Sequence, residues 1–312
     1  MKKSKFLFII GFSLIAATVS MYLVFKNSSN SFSSSSVNDK KIQVTASFYP
    51  LFFFSSQIGG DKAQVKNITP AGSEPHDYEP TTGDIARIES SNMLVLNGGV
   101  EAWGDKIKDN LKGTPVVIVV ASEGLLTQQL TQESKNLQNP HIWLAPQLAK
   151  KEVKAIVQGF VKVDPQNKDY YDSNANMLLT KLDQLDTLYT QGLASCKQKD
   201  IITSHAAFGY LAKAYGLNQI AISGLSPDME PSSQQLVEVA KFAKNHHVGY
   251  IFFESLVSPR LAETIANEVG AKTLVLDPLE GLSENDIKLG KNYFTVMENN
   301  LNNLQTAFQC TK

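Results

Sequence analysis

Cysteine is scarce in this chain of 312 residues, which has two. Two are too few for a disulfide scaffold or a cysteine-built zinc fold. Net charge is nearly missing as well. Lys and Arg number 29 against 30 Asp and Glu, a formal charge of −1. That balance excludes the basic stripe of a nucleic-acid binder and the excess charge of an acidic disordered chain. Histidine is sparse too, five in all, and the positions of those five carry the information. What is present in normal supply is core material: 43% hydrophobic and 19% charged residues, as in ordinary globular proteins. At about 150 residues per domain, the length suggests roughly two domains.

The first forty residues stand apart from that material. Met1-Lys2-Lys3-Ser4-Lys5 is a basic start, and Phe6 to Phe25 then runs for 20 residues without a charge. A helix of that length spans roughly 30 Å, the hydrocarbon thickness of a membrane. The leading lysines stay in the cytoplasm, so the rest is exported. Residues 1–26 thus read as a signal peptide or a membrane anchor. Thr18-Val19-Ser20 offers small residues for cleavage, yet Met21 to Phe25 are apolar again, longer than a removed peptide needs. No cysteine follows the run, so no lipid-attachment site is expected there. Residues 27–40 are rich in serine and read as a flexible linker.

From Lys41 onward, short β-rich runs alternate with helical patterns. Gln43–Ala46, Val65–Ile68, Met93–Leu96 and Val116–Val120 read as strands, with a helix over Pro146–Phe160. A second set of strands falls at Ile201–Thr203, Gln219–Ile222, Tyr250–Phe253 and Thr273–Leu276. Helical patterns over Ala207–Tyr215, Ser233–Asn245 and Pro259–Val269 separate them. The fold class is therefore α/β, two lobes with mainly parallel sheets, over residues 41–168 and 196–312. Between them, residues 169–195 carry leucines at helical spacing and no Gly or Pro from Tyr170 to Gln191. A helix of some 25 residues is about 37 Å long. Such a rod joins both lobes stiffly and predicts limited hinge motion.

Four residues sit where such a fold collects ligands. His76 follows the strand ending at Ile68, His205 the strand ending at Thr203, and Asp277 the strand ending at Leu276. His141 lies in Asn139-Pro140-His141-Ile142-Trp143. Open α/β sheets bind ligands outside the carboxyl ends of their strands, and each lobe supplies two of the four. Their spacing is too wide for a local metal motif. Asp277 also fits a turn cap before Pro278, and Glu280 competes with it as a ligand. Glu254, after its strand, suits either a helix N-terminus or a partner for a ligating imidazole. His246 and His247 close a polar helix and read as solvated bystanders.

The segments GSEPHDYEPTTGDIARI, NPHIWLAP, TSHAAFGYLAKAYGL, GLSPDMEPSSQQL, YIFFESLVSPRLAETIANEVG and LDPLEGL resemble the zinc/manganese solute-binding proteins of bacterial ABC transporters, closest to the zinc-uptake branch. The resemblance covers about residues 42–312 in order. It implies two α/β lobes joined by one long helix, and one metal held in the cleft by His76, His141, His205 and Asp277. Three imidazoles and a carboxylate suit tetrahedral Zn²⁺. The manganese branch carries a carboxylate where His205 stands, so His205 is the discriminating residue. The implied partners are a membrane permease and its ATPase subunit, and the protein itself is not an enzyme and is expected to be a monomer. The readings set against this are a manganese-binding member of the same family, an exported zinc hydrolase with Glu254 or Glu280 as base, and a metal-dependent adhesin.

Two departures from the family pattern stand out. Ser122–Asn139 has no histidine and only Glu123 and Glu133 as acids, so no metal-collecting loop is expected. The missing lipid-attachment cysteine points to a periplasmic location, with tethering by residues 6–25 as the other form of membrane attachment. The two cysteines, Cys196 and Cys310, each end a helical stretch in or bordering the second lobe. In an oxidising compartment they are expected to form a disulfide.

Overall fold

The computed structural model describes residues 41–132 and 135–311. The apolar run Phe6–Phe25, the serine-rich linker and Glu133 lie outside them. Among the described residues no helix is long and apolar enough to cross a membrane.

The chain folds as two parallel-sheet lobes joined by a long helix. In the N-terminal lobe, β1 (Ile42–Ala46), β2 (Ala63–Asn67), β3 (Met93–Leu96) and β4 (Val117–Val120) pair in the order β2-β1-β3-β4. All these pairings are parallel. Four-residue β3, Met-Leu-Val-Leu, is buried throughout, as expected of a central parallel strand covered on both faces. Helices α1 (Tyr49–Gly59), α2 (Thr82–Glu89) and α3 (Gly104–Asn110) connect these strands. A polar antiparallel hairpin follows, β5 (Gln129–Gln132) with β6 (Lys135–Gln138). Helix α4 (Pro146–Val163) closes the lobe.

Helix α5 (Lys168–Gly192) is the connecting rod, with Tyr171, Ala175, Leu178, Leu182, Leu185 and Tyr189 buried on one face. Its 25 residues give a length of about 37 Å. Beyond it lie β7 (Asp200–Thr203), α6 (Gly209–Tyr215), β8 (Asn218–Ala221), α7 (Ser233–Asn245), β9 (Tyr250–Phe253), α8 (Arg260–Val269) and β10 (Lys272–Val275). The second sheet has the order β10-β9-β7-β8, again parallel. Short α9 (Glu284–Lys288) precedes α10 (Tyr293–Ala307). Gly290 adopts φ 75°, the left-handed conformation that stops a helix. Asn292 then caps α10 by accepting from the Phe294 and Thr295 amides.

One apolar cluster runs from Val44 and Phe54 of the first lobe through Leu178 and Leu185 of α5 to Phe252, Leu276 and Leu304 of the second. Phe54 meets Tyr293 edge-on at 4.9 Å, and Trp143 Nε1 donates to the Pro278 carbonyl at 2.8 Å. The lobes are thus packed on each other as well as on the rod. Cys196 and Cys310 form a disulfide across 114 residues. It fastens the segment after α5 to the one after α10.

Candidate metal centre

Each sheet delivers its polar residues at the carboxyl ends of its strands. His205 lies two residues past β7 and Glu254 directly past β9. These two neighbouring strands flank the point where the sheet order reverses, the usual ligand position in open α/β sheets. His76 comes on the loop between β2 and α2, and His141 on the segment between β6 and α4. Helix α2 anchors its loop through a capping box in which Thr81 and Asp84 satisfy each other's amides. Tyr78 and Arg87 also donate to Asp84.

The structure brings His76, His141, His205 and Glu280 together, with ligand atoms all within 4.8 Å of one another. His141 Nε2 lies 3.2 Å from His76 Nε2 and 3.2 Å from His205 Nε2. Glu280 Oε1 lies 3.2, 3.0 and 3.2 Å from the Nε2 atoms of His76, His141 and His205. A tetrahedral zinc with ligands at about 2.0 Å has ligand–ligand edges of roughly 3.3 Å. The five edges of 3.0 to 3.2 Å match that tetrahedron.

Asp277 does not join this group, contrary to the sequence expectation. Its Oδ2 accepts from Ser255 Oγ at 2.6 Å and its Oδ1 from the Leu279 amide at 2.7 Å. One oxygen is therefore engaged by the turn and the other by the segment after β9. Leu279 sits at φ 57°, and that turn points the next residue, Glu280, at the imidazoles. Asp277 is the turn cap and Glu280 the converging carboxylate. The legible signal was the Asp-Pro pair itself, which favours a side-chain-capped turn.

Burial and charge set the electrostatics. Burial lowers His141 to about 3, so its imidazole is neutral. For His205 burial also opposes protonation, but the Glu254 and Glu280 carboxylates outweigh it and hold the pKa well above the usual histidine value. Burial alone would raise Glu280, yet His205 and the imidazole hydrogen bonds keep it well below the usual range. Glu74, beside the site, is pushed up to about 9 by burial first and Glu280 second. Glu254 accepts from His205 Nδ1 at 2.7 Å and from the His205 amide at 3.1 Å. Asn139, which the sequence reading did not single out, accepts from His141 Nδ1 at 2.7 Å. Both imidazoles are therefore held by Nδ1 with Nε2 facing the cluster. His246 instead pairs with Asp200 on the surface.

His141 and His205 are fully buried, and the His76 side chain is 9% exposed. A cavity of about 670 Å³ opens onto His76, bordered by Gly98, Gly99, Pro140 and the β6 residues Leu137 and Gln138.

Residues 44–307 match the family described as zinc-uptake complex component A, periplasmic. The high-affinity zinc uptake system protein ZnuA of Bacillus subtilis is 40% identical over 309 residues, covering 95% of this chain and 97% of that protein. The structure of Zn(II)-bound AdcA from Streptococcus pneumoniae superposes with a TM-score of 0.76 at 41% identity. That match covers 86% of this chain but 58% of the other, so the chain spans little more than half of that longer protein. The laminin-binding protein Lmb of Streptococcus agalactiae, described as having adhesin and metal-transporting activity, gives a TM-score of 0.78 at 34% identity. It covers 86% of this chain and 99% of that one.

Proposed function

We propose that this chain, which belongs to the zinc-uptake complex component A family, holds one Zn²⁺ with His76, His141, His205 and Glu280 and hands it to a membrane permease driven by an ATPase. It is the extracytoplasmic solute-binding component of a zinc-uptake system, a transport component rather than an enzyme. The observation that carries the site assignment is the tetrahedral spacing, with the edges from 3.0 to 3.2 Å. Three borderline nitrogen donors and one oxygen favour Zn²⁺ over the harder Mn²⁺. Four protein ligands complete a tetrahedron and reserve no position for an activated water, the pattern of a holding site rather than a hydrolytic one. Glu254, engaged by His205, is likewise not a free base.

Export rests on the basic start and the apolar run Phe6–Phe25. Some relatives are named as lipoproteins, and here no cysteine follows the run. In our reading the uncut run anchors the protein at the outer face of the membrane, with residues 27–40 as its leash. Intact mass of the membrane-fraction protein checks this: retention of residues 1–26 is expected, and a soluble, shortened chain refutes it.

Competitive titration of the purified protein with Zn²⁺ and Mn²⁺, followed by calorimetry and elemental analysis, tests the metal assignment. One zinc per chain is expected, with manganese displaced. Equal or tighter Mn²⁺ binding overturns it. His205→Glu, which adds an oxygen donor, is expected to lose Zn²⁺ affinity and to gain relative preference for Mn²⁺.

A further inference from the structure

Asn139 offers no ligand atom to the cluster, yet its side chain touches His141 and the backbone next to His205. It is 5% exposed. Its Oδ1 accepts from the His141 amide at 3.0 Å and from His141 Nδ1 at 2.7 Å. Its Nδ2 donates to the Ala206 carbonyl at 3.3 Å, and Ala206 is the residue after His205. The backbone decides which end of the amide is which. An N–H can only donate, so the His141 amide must face oxygen, and the NH₂ end is left for the Ala206 carbonyl. The oxygen then requires a proton on His141 Nδ1, which leaves the Nε2 lone pair for the cluster. The backbone at Ala206 is held in turn, its N–H donating to the Gly224 carbonyl at 2.7 Å.

The two buried imidazoles are therefore oriented by different chemistry. Glu254, from the same lobe as His205, uses a carboxylate. Asn139, from the lobe of His141, uses a neutral amide and has a donor to spare. An aspartate at this position would still accept both His141 N–H groups, but it would face the Ala206 carbonyl with a second oxygen. Leucine would do neither.

We propose that Asn139 is a positioning residue for zinc capture: its oxygen fixes the tautomer and orientation of His141, and its amide ties that ligand to the backbone carrying His205. This side chain joins the Trp143–Pro278 hydrogen bond in bringing the ligands of the two lobes into register. The proposal rests on reading the cluster as the metal site.

The test compares the wild-type chain with Asn139→Leu, Asn139→Asp and, as reference, Glu280→Ala. Zinc affinity is read by chelator competition, release by stopped flow, and the His141 tautomer by imidazole ¹⁵N NMR of the metal-free protein. Asn139→Leu is expected to lose about 10–100-fold in affinity, as for other residues that orient ligands, and to lose the Nδ1–H signature. Asn139→Asp is expected to keep that signature but to release zinc about three- to tenfold faster, the loss of one hydrogen bond. Should Asn139→Leu fail to fold, the near-isosteric aspartate variant carries the test alone. Unchanged affinity and tautomer in Asn139→Leu, or unchanged or slower release in Asn139→Asp, overturns the proposal. If Glu280→Ala also binds zinc like wild type, the metal-site reading fails with it; if Glu280→Ala loses zinc, only the role of Asn139 falls.

Discussion

Removing the Glu280 carboxylate takes away the one oxygen donor among three imidazole nitrogens. Glu280→Ala is expected to weaken zinc binding by more than about a hundredfold, beyond the range typical of residues that only orient ligands. Asp277→Asn retains an oxygen for the Leu279 amide and is expected to stay within that lower range. Chelator competition on the two variants checks the order, and a larger loss in Asp277→Asn reverses the assignment. Of the four converging residues, His76 and His205 were legible because each follows a strand, and His141 was named only from its Asn-Pro-His segment. Glu280 stood second to Asp277 because a strand end does not say how many residues the turn consumes. Here Asp277 caps the turn, and Glu280 reaches the site three residues on. A second buried acid invites a different test. Glu152 on α4 is fully buried, and neither oxygen has a hydrogen-bond partner among the described residues. Burial first, and Glu101 second, hold its pKa well above the usual value. An acid whose folded pKa is raised binds more protons in the native state, so stability falls as pH rises above about 4.3, the free glutamate value. Glu152→Met is therefore expected to raise the melting temperature at pH 8, with the gain shrinking towards pH 4.5. A lower melting temperature at pH 8 would contradict it.

At the scale of elements, Ser233–Asn245 and the connecting helix were legible because both are amphipathic, with one buried stripe. Helix α1 was not. Its Tyr-Pro-Leu-Phe-Phe-Phe run carries little polar periodicity, because it is covered by α4, α5 and β2. Only Pro50, in the first turn, announced it. The β5–β6 hairpin escaped for the opposite reason: its strands are polar and have no apolar face to alternate. It nonetheless reaches towards the other lobe, where the Tyr210 hydroxyl accepts from the Thr127 and Gln128 amides just before β5. The disulfide belongs to this scale too, since it fastens two helix ends 114 residues apart. In the chain-entropy account, closing a loop of that size stabilises by up to about 4–5 kcal/mol. The Cys196→Ser, Cys310→Ser double variant is expected to melt at lower temperature while binding zinc with unchanged affinity, because Cys196 precedes β7 whereas His205 lies past its carboxyl end. Calorimetry of both properties decides, and a loss of zinc affinity would show that the bridge shapes the site.

For the whole molecule, the continuous core and the α5 rod limit how far the lobes can part. Scattering from metal-free and zinc-loaded protein cut to residues 41–312 is expected to give the same radius of gyration within error, near the value of about 18–19 Å for a compact chain of that length. A clear contraction on loading would point to a loose hinge instead. The two-lobe architecture was readable from strand–helix alternation, whereas the packing of Phe54 on Tyr293 across the lobes was not, because long-range contacts leave no local period. The same long range has a consequence for the life of the chain before it folds. Successive ligands are 65, 64 and 75 residues apart, and no two of them form a local chelate. A site of this kind does not exist in an unfolded chain. An unfolded chain is therefore blind to zinc, and the capacity to seize the ion is born only when the two lobes have folded.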